Sequence, residues 1–257
     1  MNNSVDLRSG EDRARGPEDA DSPKTQASQL PTEPFRILTV CTMNICRSPA
    51  LELALTRQLE KSELMADGLV HIHSAGTHAT AGAPSCGISL AMIGEQDRDE
   101  TAHQLSGANI ASADLIITAE RRHISNIVAV HSGARAKSFT ARQAGRLAAW
   151  VTTAGPLEFG RRKAAGELIE ADIRNPISQA EPLPADPLDR LRWLVAEMDA
   201  ARGMTPIPAH ENLLPHDPDD IPDPHVVGFN VHRMSADLIV ASTALFSEAV
   251  LEVTHRT

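Results

Sequence analysis

The most informative segment of the chain is Phe35-Arg-Ile-Leu-Thr-Val-Cys-Thr-Met-Asn-Ile-Cys-Arg-Ser-Pro49. Its first six residues are mostly apolar or β-branched, and they predict a buried strand over 35–40. Proline is tolerated in the first turn of a helix, so Pro49 fits a helix that continues through Ala50–Leu59. A strand, a tight loop and a helix in this order form the first half of a βαβ unit.

Similar β-rich runs recur downstream and alternate with helical stretches. Further strands are predicted at Val70–His73, Asp114–Thr118 and Ala136–Phe139, with helices at about 85–96 and 121–130. Strands that alternate with helices favour a parallel sheet with helices on both faces. The sequence therefore predicts an α/β fold with a four-stranded parallel sheet.

The regions outside this alternation have different compositions. Residues 1–34 are mostly polar and charged, which is typical of a disordered tail. Residues 140–210 carry helical patterns at about 141–151, 157–172 and 189–202 but no strand pattern, and they predict a helical insertion. A long loop at 205–224 and a last helix at about 231–253 follow. One domain over 35–257, with an insertion at about 140–210, is the predicted organisation.

The charge and the cysteine content of the chain argue against several classes of function. The formal net charge of −10 argues against nucleic-acid binding and against attraction to an anionic membrane surface. Three cysteines do not make a disulfide framework, and no run of about 18 consecutive apolar residues is present. These features predict a cytoplasmic protein whose cysteines are available for chemistry.

The loop after the first strand has the features of an oxyanion site. Cys41 and Arg47 are separated by five residues, between a strand end and a helix start where free N–H groups and the helix dipole favour an anion. Arg47 can pair with two oxygens of that anion. The same field favours the thiolate of Cys41, and Ser48 can donate to it. Asn44 tolerates the left-handed backbone that such a loop needs. A lone cysteine after a strand is usually a core residue, but Cys-x5-Arg-Ser in this setting has no common structural explanation.

These residues carry a resemblance to a known family. Val40–Pro49 resembles the phosphate loop of the low-molecular-weight protein tyrosine phosphatases, a family that includes thioredoxin-coupled arsenate reductases. Ser74–Thr77, Ala113–Thr118 and Asp220–Pro224 resemble three further segments of that family.

The resemblance implies hydrolysis of a phosphomonoester, with phosphotyrosine as the expected substrate class, on a phosphorylated protein or a small phosphate ester. Cys41 would be the nucleophile, Arg47 would stabilise the transition state and Asp223 would be the general acid. No metal and no organic cofactor would take part. The implied phosphate-binding residues are Thr42, Met43, Asn44, Ile45, Cys46, Arg47 and Ser48. Cys46 would protect Cys41 through a reversible disulfide, while Cys86 is interpreted as a buried helix residue.

Two departures from the family pattern keep other functions open. Met43 stands where the family usually has glycine, and His225 stands where an aromatic residue usually follows the Asp-Pro pair. A catalytically weak phosphate- or phosphopeptide-binding module is therefore one alternative. Thiol-dependent arsenate reduction is another, although the cysteines do not match that branch. The insertion could shape the cleft or form a dimer interface, so a homodimer also stays open.

Overall fold

Strand β1 (Phe35–Cys41) is central in a four-stranded parallel sheet with β2 (Val70–Gly76), β3 (Leu115–Thr118) and β4 (Ser138–Thr140). The strand order is β2-β1-β3-β4, and β1 pairs with both β2 and β3. The order reverses beside β1, and ligands of open α/β sheets bind at such a point, outside the carboxyl ends of the strands. The computed structural model describes residues 33–95, 100–167, 180–206, 217–227 and 229–255.

Helices alternate with these strands as the sequence predicts. A short 3-10 helix covers Ser132–Lys137. The α-helices are α1 (Arg47–Leu59), α2 (Glu63–Ala66), α3 (Gly87–Met92), α4 (Gly107–Ser112), α5 (Arg121–Val130), α6 (Ala141–Thr153), α7 (Pro156–Ala164), α8 (Pro187–Ala200), α9 (Pro224–Val227) and α10 (Phe229–Thr254).

Both faces of the sheet are covered at its inner strands, which explains why β1 and β3 are mostly apolar or β-branched. Ile37, Leu115 and Ile117 belong to the larger core, which also contains apolar residues of α1, α6, α8 and α10. Leu38 and Ile116, which alternate with them, belong to a second core that includes residues of α4 and α5. The predicted fold class is therefore confirmed, and the loop after β1 leaves the sheet at its central strand.

Helix α10 is the longest described helix, and it packs against α6 and α1. Within residues 230–254, an 18-residue segment has a mean hydropathy of 1.5, so length and composition alone would allow this helix to cross a membrane. Half of that segment is buried inside the domain, as expected of a core helix. At Gly145 of α6 the two backbones approach so closely that a Cβ atom would lie 2.4 Å from the Ser242 carbonyl oxygen.

Several boundaries differ from those predicted. The helix predicted from residue 85 begins at Gly87, because Cys86 is held extended while its N–H donates to the Ile45 carbonyl over 2.8 Å. It ends at Met92, before Gly94 in a left-handed conformation, rather than at 96. Strand β2 is longer than predicted, since its pairing with β1 continues to Gly76.

The described parts of the predicted insertion contain helices α6, α7 and α8, but the first of these is not peripheral. Helix α6 packs on the sheet and on α10, so it forms part of the main core. Helix α7 ends at Ala164, and the rest of the helix predicted to reach residue 172 lies mostly outside the described residues. The same holds for 207–216 of the predicted loop and for almost all of the predicted tail 1–34.

Candidate active site

The end of β2 supports the loop between β1 and α1. Main-chain N–H groups of Thr77 and His78 donate to the carbonyl oxygens of Cys41 and Thr42, over 3.0 and 2.8 Å. A Cβ atom on Gly76 would lie 2.7 Å from Thr42 O and 2.7 Å from the nitrogen of residue 44. Only glycine therefore fits at position 76 without displacing the loop.

Asn44 sets the shape of the loop. It is, within the described ranges, the one non-glycine residue with a positive φ, 56°, as its residue type predicts. Its buried amide donates to the hydroxyl groups of Ser48 and Ser74, both over 2.9 Å, and accepts from the His103 N–H over 2.7 Å. Met43 needs no left-handed angle, and its side chain is 38% exposed. The methionine is thus accommodated by pointing outward.

The Cys41 thiol lies buried inside this loop, in contact with two groups that can donate hydrogen bonds. Ser48 Oγ lies 3.0 Å from the Cys41 sulfur, and the Asn44 N–H donates to that sulfur over 3.3 Å. The Asn44 amide donates to Ser48 Oγ, so the serine hydroxyl proton can point either at the sulfur or at the more distant Ala75 carbonyl oxygen, 3.3 Å away. Both contacts stabilise a thiolate.

Arg47, the first residue of α1, is almost fully buried and paired with acidic groups. Its Nη1 donates to Glu120 Oε1 and, over 3.0 Å, to the Ile221 carbonyl oxygen. Its Nη2 donates to Asp223 Oδ2 over 2.6 Å. Sequence reasoning missed Glu120; the one available signal is its position just after the carboxyl end of β3, at the same edge of the sheet as the loop.

Glu120 begins a small polar network beside the loop. Burial acts to raise the pKa of its carboxyl group, but the charge and hydrogen bond of Arg47, with help from Arg122, hold that pKa below its ordinary value. Burial lowers the pKa of His123 to about 4 despite the nearby Glu120 charge, so the ring is neutral at pH 7. Its Nδ1 accepts from the Glu120 N–H over 3.1 Å, so the proton is on Nε2, which lies 3.0 Å from Thr42 Oγ1.

The acid segment, residues 217–223, places Asp223 beside Arg47. The Ile221 N–H donates to the Ala119 carbonyl at the end of β3 over 2.8 Å. The second oxygen of Asp223 accepts from the His225 N–H over 3.1 Å, which orients the carboxyl group. The side chain of Asp223 is 27% exposed, so it faces both the loop arginine and solvent.

The neighbouring acids of this segment are engaged elsewhere. Asp219 is buried and accepts two hydrogen bonds from Arg146, over 2.7 and 2.9 Å. Asp217 lies 3.0 Å from Arg121, and Asp220 accepts from the Arg121 N–H over 2.8 Å. Position 223 is thus the one carboxyl group of the described acid segment that pairs with the loop arginine.

The thiols of Cys46 and Cys86 lie together beside the loop. The hydrogen bond between the two thiols raises the pKa of Cys46, with burial adding to it, and lowers the pKa of Cys86. Cys86 is a half-buried residue before α3, not the buried helix residue that the sequence predicts, because its N–H is tied to Ile45. The proposed disulfide between Cys46 and Cys41 stays a prediction.

The arrangement combines three groups that act on an oxyanion. A buried thiol with hydrogen-bond donors lies at a strand–helix turn, next to a fixed guanidinium, and a carboxyl group approaches from a distant segment. Such a set can bind a tetrahedral anion, attack its central atom and protonate a leaving oxygen. Side chains from the carboxyl ends of β1 and β3 and from the acid segment meet at this one edge of the sheet.

Comparison with known proteins agrees with this chemistry. The family model for "Low molecular weight phosphotyrosine protein phosphatase" matches residues 36–155, which include α6 but not the acid segment. A probable low molecular weight protein-tyrosine-phosphatase, AmsI of Erwinia amylovora, is 32% identical over 104 residues, which are 40% of this chain and 67% of AmsI. Wzb of Escherichia coli K12, also named as such a phosphatase, is 34% identical over 91 residues, 35% of this chain and 58% of Wzb.

Solved structures that align with most of this chain include a YwlE and a Wzb. The YwlE arginine phosphatase of Geobacillus stearothermophilus has a TM-score of 0.47 and 18% identity, covering 84% of this chain and 92% of YwlE. Vibrio vulnificus Wzb in complex with benzylphosphonate has a TM-score of 0.47 and 19% identity, covering 83% of this chain and 97% of that one. The sequence matches, together with the loop that they include, establish that the chain belongs to the low molecular weight protein-tyrosine-phosphatase family.

Proposed function

We propose that the chain hydrolyses phosphomonoesters, with phosphotyrosine as the substrate class, through a cysteinyl-phosphate intermediate on Cys41. One observation carries the assignment of the acid. Asp223 lies 176 residues after Arg47 in the sequence, yet its carboxylate accepts from that guanidinium over 2.6 Å. The fold thus brings a carboxyl group from outside the matched family segment to the arginine beside the nucleophile.

In the first step the Cys41 thiolate attacks phosphorus. A sulfur–phosphorus bond forms as the bond from phosphorus to the leaving oxygen breaks, and protonated Asp223 gives its proton to that oxygen. Arg47 and the loop N–H groups hold the remaining oxygens as charge redistributes. Ser48 and Asn44 hold the thiolate at the attacking position.

In the second step water replaces the cysteine. The Asp223 carboxylate takes a proton from the water as its oxygen attacks phosphorus, and the sulfur–phosphorus bond breaks to restore the thiolate. Hydrogen bonds to the Cys41 sulfur then stabilise it as the leaving group, so the same contacts serve both steps.

In the site without substrate, Arg47 pairs with Glu120 and Asp223. The guanidinium is almost fully buried, and a buried charge without partners would cost several kcal/mol. The two carboxylates compensate this charge before substrate arrives. A bound phosphate takes over part of the guanidinium when substrate enters the loop.

The preference for an aromatic ester rests on the family and on an unusual rim. Met43 and His225 are among the exposed side chains beside the loop and the acid, and the chain contains no tyrosine. A thioether and an imidazole can both contact a phenyl ring, but they offer less stacking area than a phenol would. We therefore expect hydrolysis of phosphotyrosine peptides with a comparatively high KM.

A comparison of variants tests the assignment. Wild-type protein, Cys41→Ser and Asp223→Asn are assayed with p-nitrophenyl phosphate, phenyl phosphate and a phosphotyrosine peptide. Cys41→Ser should abolish turnover, and Asp223→Asn should reduce kcat by about 10²–10⁴-fold. The reduction should be largest for the phenyl ester, whose leaving oxygen most needs a proton. Asp217→Asn is the matched control, because its carboxyl group pairs with Arg121 and should leave kcat unchanged.

Other results would assign a different function. Binding of phosphate or vanadate without turnover of any ester would identify a binding module. Arsenate-dependent oxidation of thioredoxin without ester hydrolysis would identify an arsenate reductase. Equal losses in Asp223→Asn and Asp217→Asn would remove Asp223 from the role of acid.

A further inference from the structure

A second cluster of reactive side chains lies next to the phosphate loop and takes no part in the proposed reaction. The sulfur atoms of Cys46 and Cys86 and one ring nitrogen of His225 all lie within 4.8 Å of one another. They come from three separate segments: the loop itself, the residue before α3, and helix α9 just after the acid segment.

A fourth side chain, His232 in α10, faces the same cluster. Its Nε2 lies 3.7 Å from the Cys86 sulfur, and its ring meets that of His225 edge-on with 6.2 Å between centroids. His232 is only 8% exposed, and its Nδ1 has no hydrogen-bond partner among the described residues. The nitrogen that faces the Cys86 sulfur is Nε2, so Nε2 is the ring nitrogen that can act as a ligand there.

The separations suit one tetrahedral ion. With Zn–S bonds of about 2.3 Å and Zn–N bonds of about 2.0–2.1 Å, a sulfur and a nitrogen on the same zinc are about 3.6 Å apart, and two sulfurs about 3.8 Å. His232 approaches the group at Cys86, where the sulfur–nitrogen distance already matches. The three pairs among Cys46, Cys86 and His225, at no more than 4.8 Å, need to close by up to about 1 Å. Side-chain rotation supplies movements of that size.

We propose that Cys46, Cys86, His225 and His232 bind one zinc ion. Two cysteines and two histidines are a common set for structural zinc, and thiolate with imidazole selects zinc over magnesium or calcium. On binding, two metal–sulfur bonds form and the thiol protons leave to solvent, so the occupied site is neutral. Cys46 is buried but His225 is exposed, which gives the ion a route from solvent.

Such an ion would join the phosphate loop to the acid. Cys46 directly precedes Arg47, and His225 is two residues after Asp223 and already donates to that carboxyl group from its main chain. Fixing both ligands on one metal therefore fixes the two segments whose contact the reaction needs. The inference gives Cys46 a metal-binding role that sequence reasoning, which expected no metal, did not foresee.

Metal binding by the full chain tests the proposal without reference to activity. Metal-free protein in a phosphine reductant is titrated with Co²⁺, a spectroscopic substitute for Zn²⁺, and then with Zn²⁺. We expect one equivalent per chain, thiolate-to-cobalt charge transfer with the strong visible bands of a tetrahedral site, and displacement by zinc. Cys86→Ser and His232→Gln should weaken binding by more than about 100-fold, since even outer-shell changes cost about 10–100-fold.

Two matched variants locate the site. Cys41→Ser should bind one equivalent as tightly as wild type, because Cys41 is not a ligand, and so should His71→Gln in the exposed part of β2. The proposal is overturned if wild-type protein binds no stoichiometric metal, if Cys41→Ser loses it, or if a Cys46–Cys86 disulfide persists under reductant. The wild-type titration alone shows whether the chain binds stoichiometric metal, so the proposal can be tested even if a variant fails to fold.

Discussion

Replacing Gly76 by alanine is the sharpest test of how β2 shapes the phosphate loop. A Cβ atom there would lie 2.7 Å from Thr42 O, 2.7 Å from the Asn44 nitrogen and 2.8 Å from the Met43 carbonyl carbon, all main-chain atoms. Ordinary contacts begin at 3.4 Å, so the loop must move by about 0.6–0.7 Å. Overpacking of this kind costs about 1–3 kcal/mol, and a shift approaching 1 Å in a catalytic group lowers the rate by up to about 10²-fold.

We therefore expect Gly76→Ala to lose about 1–3 kcal/mol of unfolding free energy in urea and to have a kcat/KM about 10–100-fold below wild type. Gly107→Ala is the control, since a Cβ at the start of α4 meets nothing within 4 Å. It should keep both quantities close to wild type. If folded Gly76→Ala keeps kcat/KM within about twofold of wild type, the loop does not depend on this contact and the reasoning is refuted.

Three further perturbations address the polar groups of the site. Glu120→Gln should destabilise the protein by about 3 kcal/mol, because buried Arg47 loses one of its two carboxylates. Added phosphate should then raise the Tm of the variant more than it raises the Tm of wild type. An equal rise in the two proteins would contradict the pairing of Arg47 with Glu120. Ser48→Ala removes a donor 3.0 Å from the Cys41 sulfur, so cysteinyl-phosphate breakdown should slow about tenfold and a burst of p-nitrophenol should appear in stopped flow. Burial lowers the pKa of His123 from 6.5 to about 4, so the unfolded chain takes up this proton first as pH falls. The unfolding free energy that this shift contributes is present above pH 6.5 and should be lost as the pH falls to about 4, a change of about 3 kcal/mol. Urea unfolding across this pH range should show the loss in wild type and not in His123→Gln.

The loop could be predicted because its determinants are local. The residues that define it lie within one stretch of eight, directly after a strand of mostly apolar or β-branched residues; they are Cys41, Asn44, Arg47 and Ser48. The left-handed angle at Asn44 follows from its residue type and is confirmed. The fold class could also be predicted, since β1 and β3 are buried on both faces and therefore read as mostly apolar or β-branched runs between helices.

The partners of the loop could not be predicted in the same way. Glu120 reaches Arg47 across 73 residues, and a lone glutamate after a strand carries no signal of its own. The meeting of Cys46 with Cys86 depends on one main-chain hydrogen bond, from Cys86 to Ile45, that no periodic pattern encodes. Asp223 was identified through its resemblance to a family motif, whereas its contact with Arg47 is a property of the folded chain.

The close contact between α6 and α10 at Gly145 links a remote position to catalysis. No side chain fits between Gly145 and the Ser242 carbonyl, so a larger residue at 145 would push α10 away. Ser242 lies 13 residues, or about 20 Å, from the beginning of α10, and a helix moves largely as a rigid body over that length. The beginning of α10 lies close to the segment that carries the proposed acid, Asp223. A larger residue at position 145 in a relative would therefore alter protonation of the leaving oxygen, while Cys41 would keep its reactivity. The residues that can replace Gly145 are therefore limited by the position required of the proposed acid, about two helix diameters away.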